Sequence, residues 1–188
     1  MTKSKENELT EVAILAGGCF WCMEAVFERV KGVLKIVSGY IGGTTINPTY
    51  DEVCSGITGH VEAVQIMFDP VVITYETLLD VFFHHHDPTS KDKQGNDQGT
   101  QYRSIIFYQN ETQKQIAEKY IHELNSSHTY SSPIVTEVQS ASIFYPGEEY
   151  HQKYYEKNSY QPYCQYVIDQ KIQTLYKDYG KLLKNKIL

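Results

Sequence analysis

Residues 12–16, Val12, Ala13, Ile14, Leu15 and Ala16, form an unbroken apolar run that stops at Gly17 and Gly18. A short apolar run bounded by glycines reads as a strand buried on both faces. At Cys19 the period changes. Phe20, Met23, Val26, Phe27 and Val30 recur at steps of three and four, as on one face of a helix, and Gly32 is expected to stop it. The chain therefore turns from strand into helix at Gly17-Gly18-Cys19, with Cys19 at the helix N-terminus.

The same reading predicts strands over 33–40, 60–68, 102–108 and 134–138. It predicts helices over 74–85, 111–125 and 148–158, and partial helix within 166–184. Gly42-Gly43-Thr44-Thr45 marks a loop, Asp69-Pro70 and Asp87-Pro88 mark stops, and residues 88–100 read as a long polar loop. Helices do not follow every strand, which favours an α+β fold, a two-layer sandwich, over a doubly wound parallel sheet. Residues 1–11 read as a polar arm, and 12–188 as a single domain.

A formal net charge of -6 argues against a nucleic-acid binder, which would carry a basic face. No run approaches the roughly 20 apolar residues that span a bilayer, and residues 1–11 lack the apolar stretch of a signal peptide. The expected location is cytoplasmic, where thiols stay reduced. Four cysteines in that setting are catalytic, metal-binding or inert rather than structural disulfides.

Cys19 is the first chemical candidate. Unpaired N–H groups and the positive end of the dipole at a helix N-terminus favour the nucleophilic thiolate; the alternative is an inert cysteine at a turn. Phe20 and Trp21, the only Trp, are either core residues or an aromatic wall suited to a methionine-like group. Cys22 completes a C-x-x-C, a redox signature at such a turn. Glu62 shares a strand face with Val64, Ile66 and Phe68. It is either a buried acid with a raised pKa or the wet end of a strand. His84-His85-His86 cannot converge on a metal from consecutive helix positions and is expected to complement the helix dipole instead. Glu148 and Glu149 suit a helix first turn; the alternative for the run 148–152 is a role at the substrate.

Gly17-Gly18-Cys19-Phe20-Trp21 resembles the signature of the A-type peptide methionine sulfoxide reductases. The resemblance continues through Ser38-Gly39-Tyr40, Gly42-Gly43, Asn47-Pro48-Thr49-Tyr50 and Thr58-Gly59-His60-Val61-Glu62. It extends through His86-Asp87-Pro88-Thr89, 97–104, Phe144-Tyr145 and 148–152, covering roughly residues 12–165. It implies a ferredoxin-like plait core with an extended irregular C-terminal segment, and reduction of the S epimer of methionine sulfoxide, free or in proteins. Cys19 would be the nucleophile. Phe20 and Trp21 would hold the substrate methyl group. Glu62, Tyr50 and Tyr102 would bind and protonate the sulfoxide oxygen, with Asp97 in support.

The cycle so implied needs no bound cofactor and no metal: a Cys19 sulfenic acid is resolved to a disulfide that thioredoxin reduces, in an enzyme expected to be monomeric. Cys22, Cys54 and Cys164 are available as resolving thiols. The family's common use of a C-terminal cysteine favours Cys164, and the tail after it lacks the Gly-rich, two-cysteine form of some members, which favours a single resolving step. Two rival readings are a general disulfide oxidoreductase built on Cys19 and Cys22, and a Cys/His metal-binding protein.

Overall fold

The computed structural model describes residues 10–184. Its elements run β1 (Glu11–Gly17), α1 (Phe20–Phe27), β2 (Val33–Ile41), α2 (Tyr50–Cys54), β3 (Val61–Phe68), α3 (Tyr75–His84), β4 (Lys93–Gln94), β5 (Asp97–Gln98), β6 (Ser104–Tyr108), α4 (Glu111–Ser126), β7 (Glu137–Ser140), β8 (Tyr145–Pro146), α5 (Tyr154–Asn158) and α6 (Asp169–Tyr179). A π turn over Cys164–Ile168 leads into α6.

Six strands form one sheet in the order β7-β6-β1-β3-β2-β8, and β4 and β5 form a separate hairpin. Neighbours in the large sheet are antiparallel, apart from the parallel pair β6 and β7. The architecture is mixed α/β around this sheet, consistent with the α+β expectation.

Alternation along β1 explains its unbroken apolar run. Ala13 and Leu15 enter the core that holds α1, while Ile14 and Ala16 join Val61, Ala63, Ile105 and Phe107 on the opposite face. α1 lies in the thick of the first core: Phe20, Cys22, Met23, Glu24, Ala25, Val26 and Phe27 are all buried. A helix apolar on nearly every side, Glu24 being its one charged residue, belongs inside, and each large apolar side chain buried there contributes about 1.5–3 kcal/mol. Thr74 caps α3 and Asn110 caps α4, each accepting from a backbone N–H three residues on. Among the described residues no helix is long and apolar enough to cross a membrane.

Several boundaries differ from expectation, each for a local reason. The arm expected over 1–11 lies outside the described residues up to residue 9, and Glu11 already pairs with Phe68. α1 ends at Phe27 rather than near Gly32, and Val30 instead bridges Leu183. The polar stretch 88–100 contains the β4–β5 hairpin. The strand expected over 134–138 joins the sheet only at Glu137, because Asn125 takes the Ile134 N–H and the Pro88 carbonyl takes the Val135 N–H. The helix expected over 148–158 is interrupted at Lys153, whose φ of 54° is left-handed. The C-terminal segment is not irregular: it is helical from Cys164 to Tyr179.

Gly39 sits where β8 meets β2, and a Cβ there would stand 2.3 Å from the Tyr145 carbonyl oxygen and 2.6 Å from the Phe144 ring. Gly39→Ala is expected to cost about 1–3 kcal/mol of stability, or roughly 2–4 °C of Tm per kcal/mol in a chain of this size. Gly180→Ala, where a Cβ meets nothing within 4 Å, is the control. Equal melting temperatures for the two variants would refute the steric argument.

Candidate active site

The β1–α1 turn is built by Gly18, with φ of 95°. A Cβ there would lie 2.6 Å from the Gln94 side chain, so glycine allows the β4–β5 hairpin to close over the turn. Cys19 follows as the residue capping α1, 7% exposed and without a side-chain capping bond. The free N–H of Phe20, next along, donates to Glu62 Oε2 at 3.0 Å. Glu62 reaches it from the helix-facing side of β3 and is 1% exposed, as its alternation with Val64, Ile66 and Phe68 predicts.

Burial pushes the Glu62 carboxyl up to about 8, against the Phe20 N–H, which favours the ionised form; Asp97 and Cys22 push in the same direction as burial. At neutral pH the group is mainly protonated. Oε2 accepts from Phe20, which leaves Oε1 to carry the proton.

Cys19 departs from expectation. Burial drives its thiol well above the ordinary range, with Cys22 and Glu62 adding to the effect. A helix N-terminus contributes roughly 0.3–1 kcal/mol to an anion, less than desolvation removes. The first free N–H of α1 is, moreover, bound to Glu62 and not to the sulfur.

Tyr50 and Tyr102 flank this pair. Burial raises both hydroxyls, and Glu62 is the next cause in each case. Both therefore stay protonated as donors. The Tyr102 hydroxyl also feels Cys19 and Asp97. Glu148 secures the Tyr50 side: its carboxylate accepts from the Tyr50 N–H at 2.9 Å and the Tyr40 hydroxyl at 2.8 Å. Burial would raise Glu148, but these bonds hold it below the usual carboxylate range.

Phe20 and Trp21 form an aromatic wall. The Trp21 ring stacks on Tyr154 at 3.7 Å and 6°, Phe20 lies 4.9 Å from His151, and Tyr50 lies 4.5 Å from the same imidazole. Trp21 Nε1 donates to His151 Nδ1 at 3.0 Å, so the imidazole hydrogen sits on Nε2. Burial lowers the His151 pKa, which favours this neutral form.

The structure thus gathers Cys19, Phe20, Trp21, Tyr50, Glu62, Asp97 and Tyr102 around one turn. Cys164 stands apart: it is fully buried at the start of the π turn. Its neighbour Tyr163 donates to Asp97 Oδ2 at 2.7 Å. The sequence reading missed Tyr40, His151, Tyr154 and Tyr163. The run 148–152 entered only through its acids and as part of the resemblance, with no role given to His151, and the tyrosines have no local signal among 16 of their kind.

The three consecutive histidines take separate partners: His84 meets Asp178, His85 Nδ1 donates to the Val81 carbonyl and His86 Nδ1 to the Phe82 carbonyl. The dipole expectation needs correcting in one respect. Burial lowers both His85 and His86 to about 4, so they cap the α3 carbonyls as neutral rings. Among the described residues no group of three or more His, Cys, Asp or Glu could hold a metal ion.

The family model of peptide methionine sulfoxide reductase matches residues 11–182 of this chain. The chain belongs to that family. It is 53% identical over 175 residues to the peptide methionine sulfoxide reductase MsrA of Chromobacterium violaceum, covering 93% of this chain and 99% of that protein. Among solved structures it is similar to reduced Mxr1 of Saccharomyces cerevisiae, with a TM-score of 0.77 and 32% identity over 86% of this chain and 92% of that one. Mxr1 in complex with Trx2 matches with a TM-score of 0.54 at 24% identity, over 82% and 90% of the two chains, a likeness of fold. As a peptide methionine sulfoxide reductase family member the chain is an oxidoreductase.

Glu62→Gln keeps the shape and cannot ionise. The raised folded-state pKa means wild type holds its full stability below the unfolded value near 4.5 and loses stability as pH rises through about 8. The Gln variant is expected to gain on wild type in chemical denaturation from pH 5 to pH 9. A stability difference that does not change with pH would show that Glu62 is ionised throughout.

Proposed function

We propose that residues 12–188 form one catalytic domain that reduces the S epimer of methionine sulfoxide, free and in proteins, in repair of oxidative damage. The observation that carries this reading is the buried Glu62 carboxyl, bound to the Phe20 N–H beside the Cys19 thiol, where burial pushes its pKa up to about 8. An acid next to a nucleophilic sulfur is what a sulfoxide requires, because its oxygen leaves only after protonation.

In this reading the substrate oxygen lies toward Glu62, Tyr50 and Tyr102, and its methyl group lies against Phe20 and Trp21. Asp97 steadies the arrangement through Tyr163. Glu62 protonates the oxygen as Cys19 attacks the substrate sulfur, and the thiol proton returns to Glu62. The hydroxyl then passes to Cys19, giving a sulfenic acid and free methionine, and atoms balance with one proton kept on oxygen. The high resting pKa of Cys19 suits this exchange, since thiol and acid both begin protonated. Oxygen, methyl and attack site are three fixed points, so one epimer fits; the family resemblance makes it the S epimer.

A disulfide and a thioredoxin-type dithiol complete the cycle, with no bound cofactor, in a monomer located in the cytoplasm. The Mxr1 structure with Trx2 supports a thioredoxin as partner. Cys164 serves as the C-terminal thiol of the cycle, and its complete burial means that the π turn must open for it. The strand order β6-β1-β3-β2, joined as β1-α1-β2-β3-α3-β6 with antiparallel neighbours, supports reading the core as a ferredoxin-like plait.

Two measurements test this. Each sulfoxide epimer is supplied separately with thioredoxin, its reductase and NADPH; the S epimer is expected to turn over and the R epimer to give less than about 1% of that rate. Cys19→Ser is expected to lose all activity. Cys164→Ser is expected to release about one methionine per enzyme and then stop, and sustained cycling of that variant would remove Cys164 from the scheme.

A further inference from the structure

Glu24 is a buried acid to which the scheme above gives no task. It sits on α1 among apolar neighbours and is 2% exposed. A buried carboxyl is costly unless hydrogen bonds replace its water. Among the described residues, however, Glu24 Oε1 has no hydrogen-bond partner, and neither has the equally buried Ser38 Oγ. Burial pushes the Glu24 carboxyl up, and the N–H groups of Lys153 and Tyr154 pull it only part of the way back. The bond that Glu24 does make is a distant one: Oε2 accepts from the Tyr154 N–H at 3.2 Å, 130 positions along the chain.

That bond falls where the chain most needs an acceptor. Lys153 is left-handed, with φ of 54°, and it caps α5 without a side-chain hydrogen bond to the N–H groups there. A residue other than glycine keeps such a conformation only where its surroundings hold it. The Lys153 ammonium does not do so, since it turns outward to Glu156. Glu24 supplies the missing acceptor from another element.

Tyr154, the first residue of α5, is then aimed by its backbone. Glu24 takes its N–H, and Asn158 Nδ2 donates to its carbonyl at 3.0 Å. The ring so aimed lies on the Trp21 ring at 3.7 Å and 6°. His151, on the other side of the left-handed turn, holds the edge of the same indole through Nε1. The turn at Lys153 therefore spaces two residues that hold Trp21 from two directions.

Resting on the proposed function, we infer that Glu24 is a positioning residue of the substrate site: by fixing the turn at Lys153 it sets Tyr154 against one face of Trp21, and so presents the other face to the substrate methyl group. In this role Glu24 touches no substrate atom. Its effect passes through Tyr154 and Trp21. The methyl contact is the same before and during attack on the sulfur. Losing it weakens substrate binding and leaves the chemical step unchanged.

Trp21 is the only Trp of the chain, so its fluorescence reports on the stack without any substrate. Glu24→Met removes the acceptor and leaves a side chain of similar length in an otherwise apolar helix. It is expected to melt close to wild type and to shift the Trp21 emission to the red. In single turnover with free methionine sulfoxide, the half-saturating concentration is expected to rise about 3- to 10-fold, the size of one aromatic contact, with a limiting rate within about twofold of wild type. Glu24→Gln keeps an acceptor for the Tyr154 N–H and is expected to restore both the emission and the half-saturating concentration. Tyr154→Leu is expected to reproduce the loss of affinity, and adding Glu24→Met to it is expected to change nothing further, because the two residues act in series. Losses that multiply in the double variant overturn the inference, as does an unchanged Trp21 emission in Glu24→Met. A fall in limiting rate at unchanged half-saturation does so too. A Glu24→Met protein that does not fold, or melts far below wild type, marks a purely structural role and overturns it as well. Wild-type protein that releases no methionine counts against the proposed function instead, and the emission still judges the placement of Trp21.

Discussion

One hydrogen bond, from the Phe20 N–H to Glu62, ties the N-terminus of the central helix to a central strand. It joins two elements whose faces are already set by the core, so its geometry is inherited from the packing of α1 on β3. Burial around it, against the bond's own pull toward a carboxylate, decides two protonation states. The carboxyl is drawn out of water to meet the helix and keeps its proton. The sulfur beside it loses the donor that would have stabilised its anion. The proposed acid and the proposed nucleophile are linked through one amide group.

Around that bond lies a shell that fixes rings rather than charges. The Glu148 carboxylate ties the Tyr50 backbone to the Tyr40 hydroxyl, and His151 accepts from Trp21 while touching Phe20 and Tyr50. Each of these contacts is modest alone, about 0.5–1.5 kcal/mol for a neutral hydrogen bond or an aromatic pair and about 1.5–3 kcal/mol for a bond to the Glu148 carboxylate. Their value is positional. They bring residues 148–154 against the β1–α1 turn from more than 100 positions away, and so hold the aromatic wall in one orientation.

Much of this was readable from the chain. The change of period at Gly17-Gly18 located Cys19, and strict alternation put Glu62 on the face of Val64, Ile66 and Phe68, while counting alone left open whether it was buried or the wet end of the strand. What failed depends on distant partners. Burial of Cys19 reverses a local electrostatic argument, since neither β3 nor the β4–β5 hairpin is visible from the turn. Neutral His85 and His86 fail for the same reason. Lys153 adopts a left-handed conformation that its own residue type does not announce, so the helix over 148–158 was drawn too long. Cys164 was expected in an extended irregular segment, and only the core beneath that segment makes the turn.

β8 is only two residues long, and one of them is Pro146, which has no N–H to offer. It lies at one end of the six-stranded sheet, and the opposite end is the four-residue β7. A long bare strand at either margin would recruit any extended polypeptide that drifted past, and chains stack readily on such templates. An enzyme proposed to handle damaged, partly opened proteins meets extended segments as a matter of course. Blunt margins of this kind allow it to engage a single side chain at the turn without being drawn into aggregation by the remainder of its substrate.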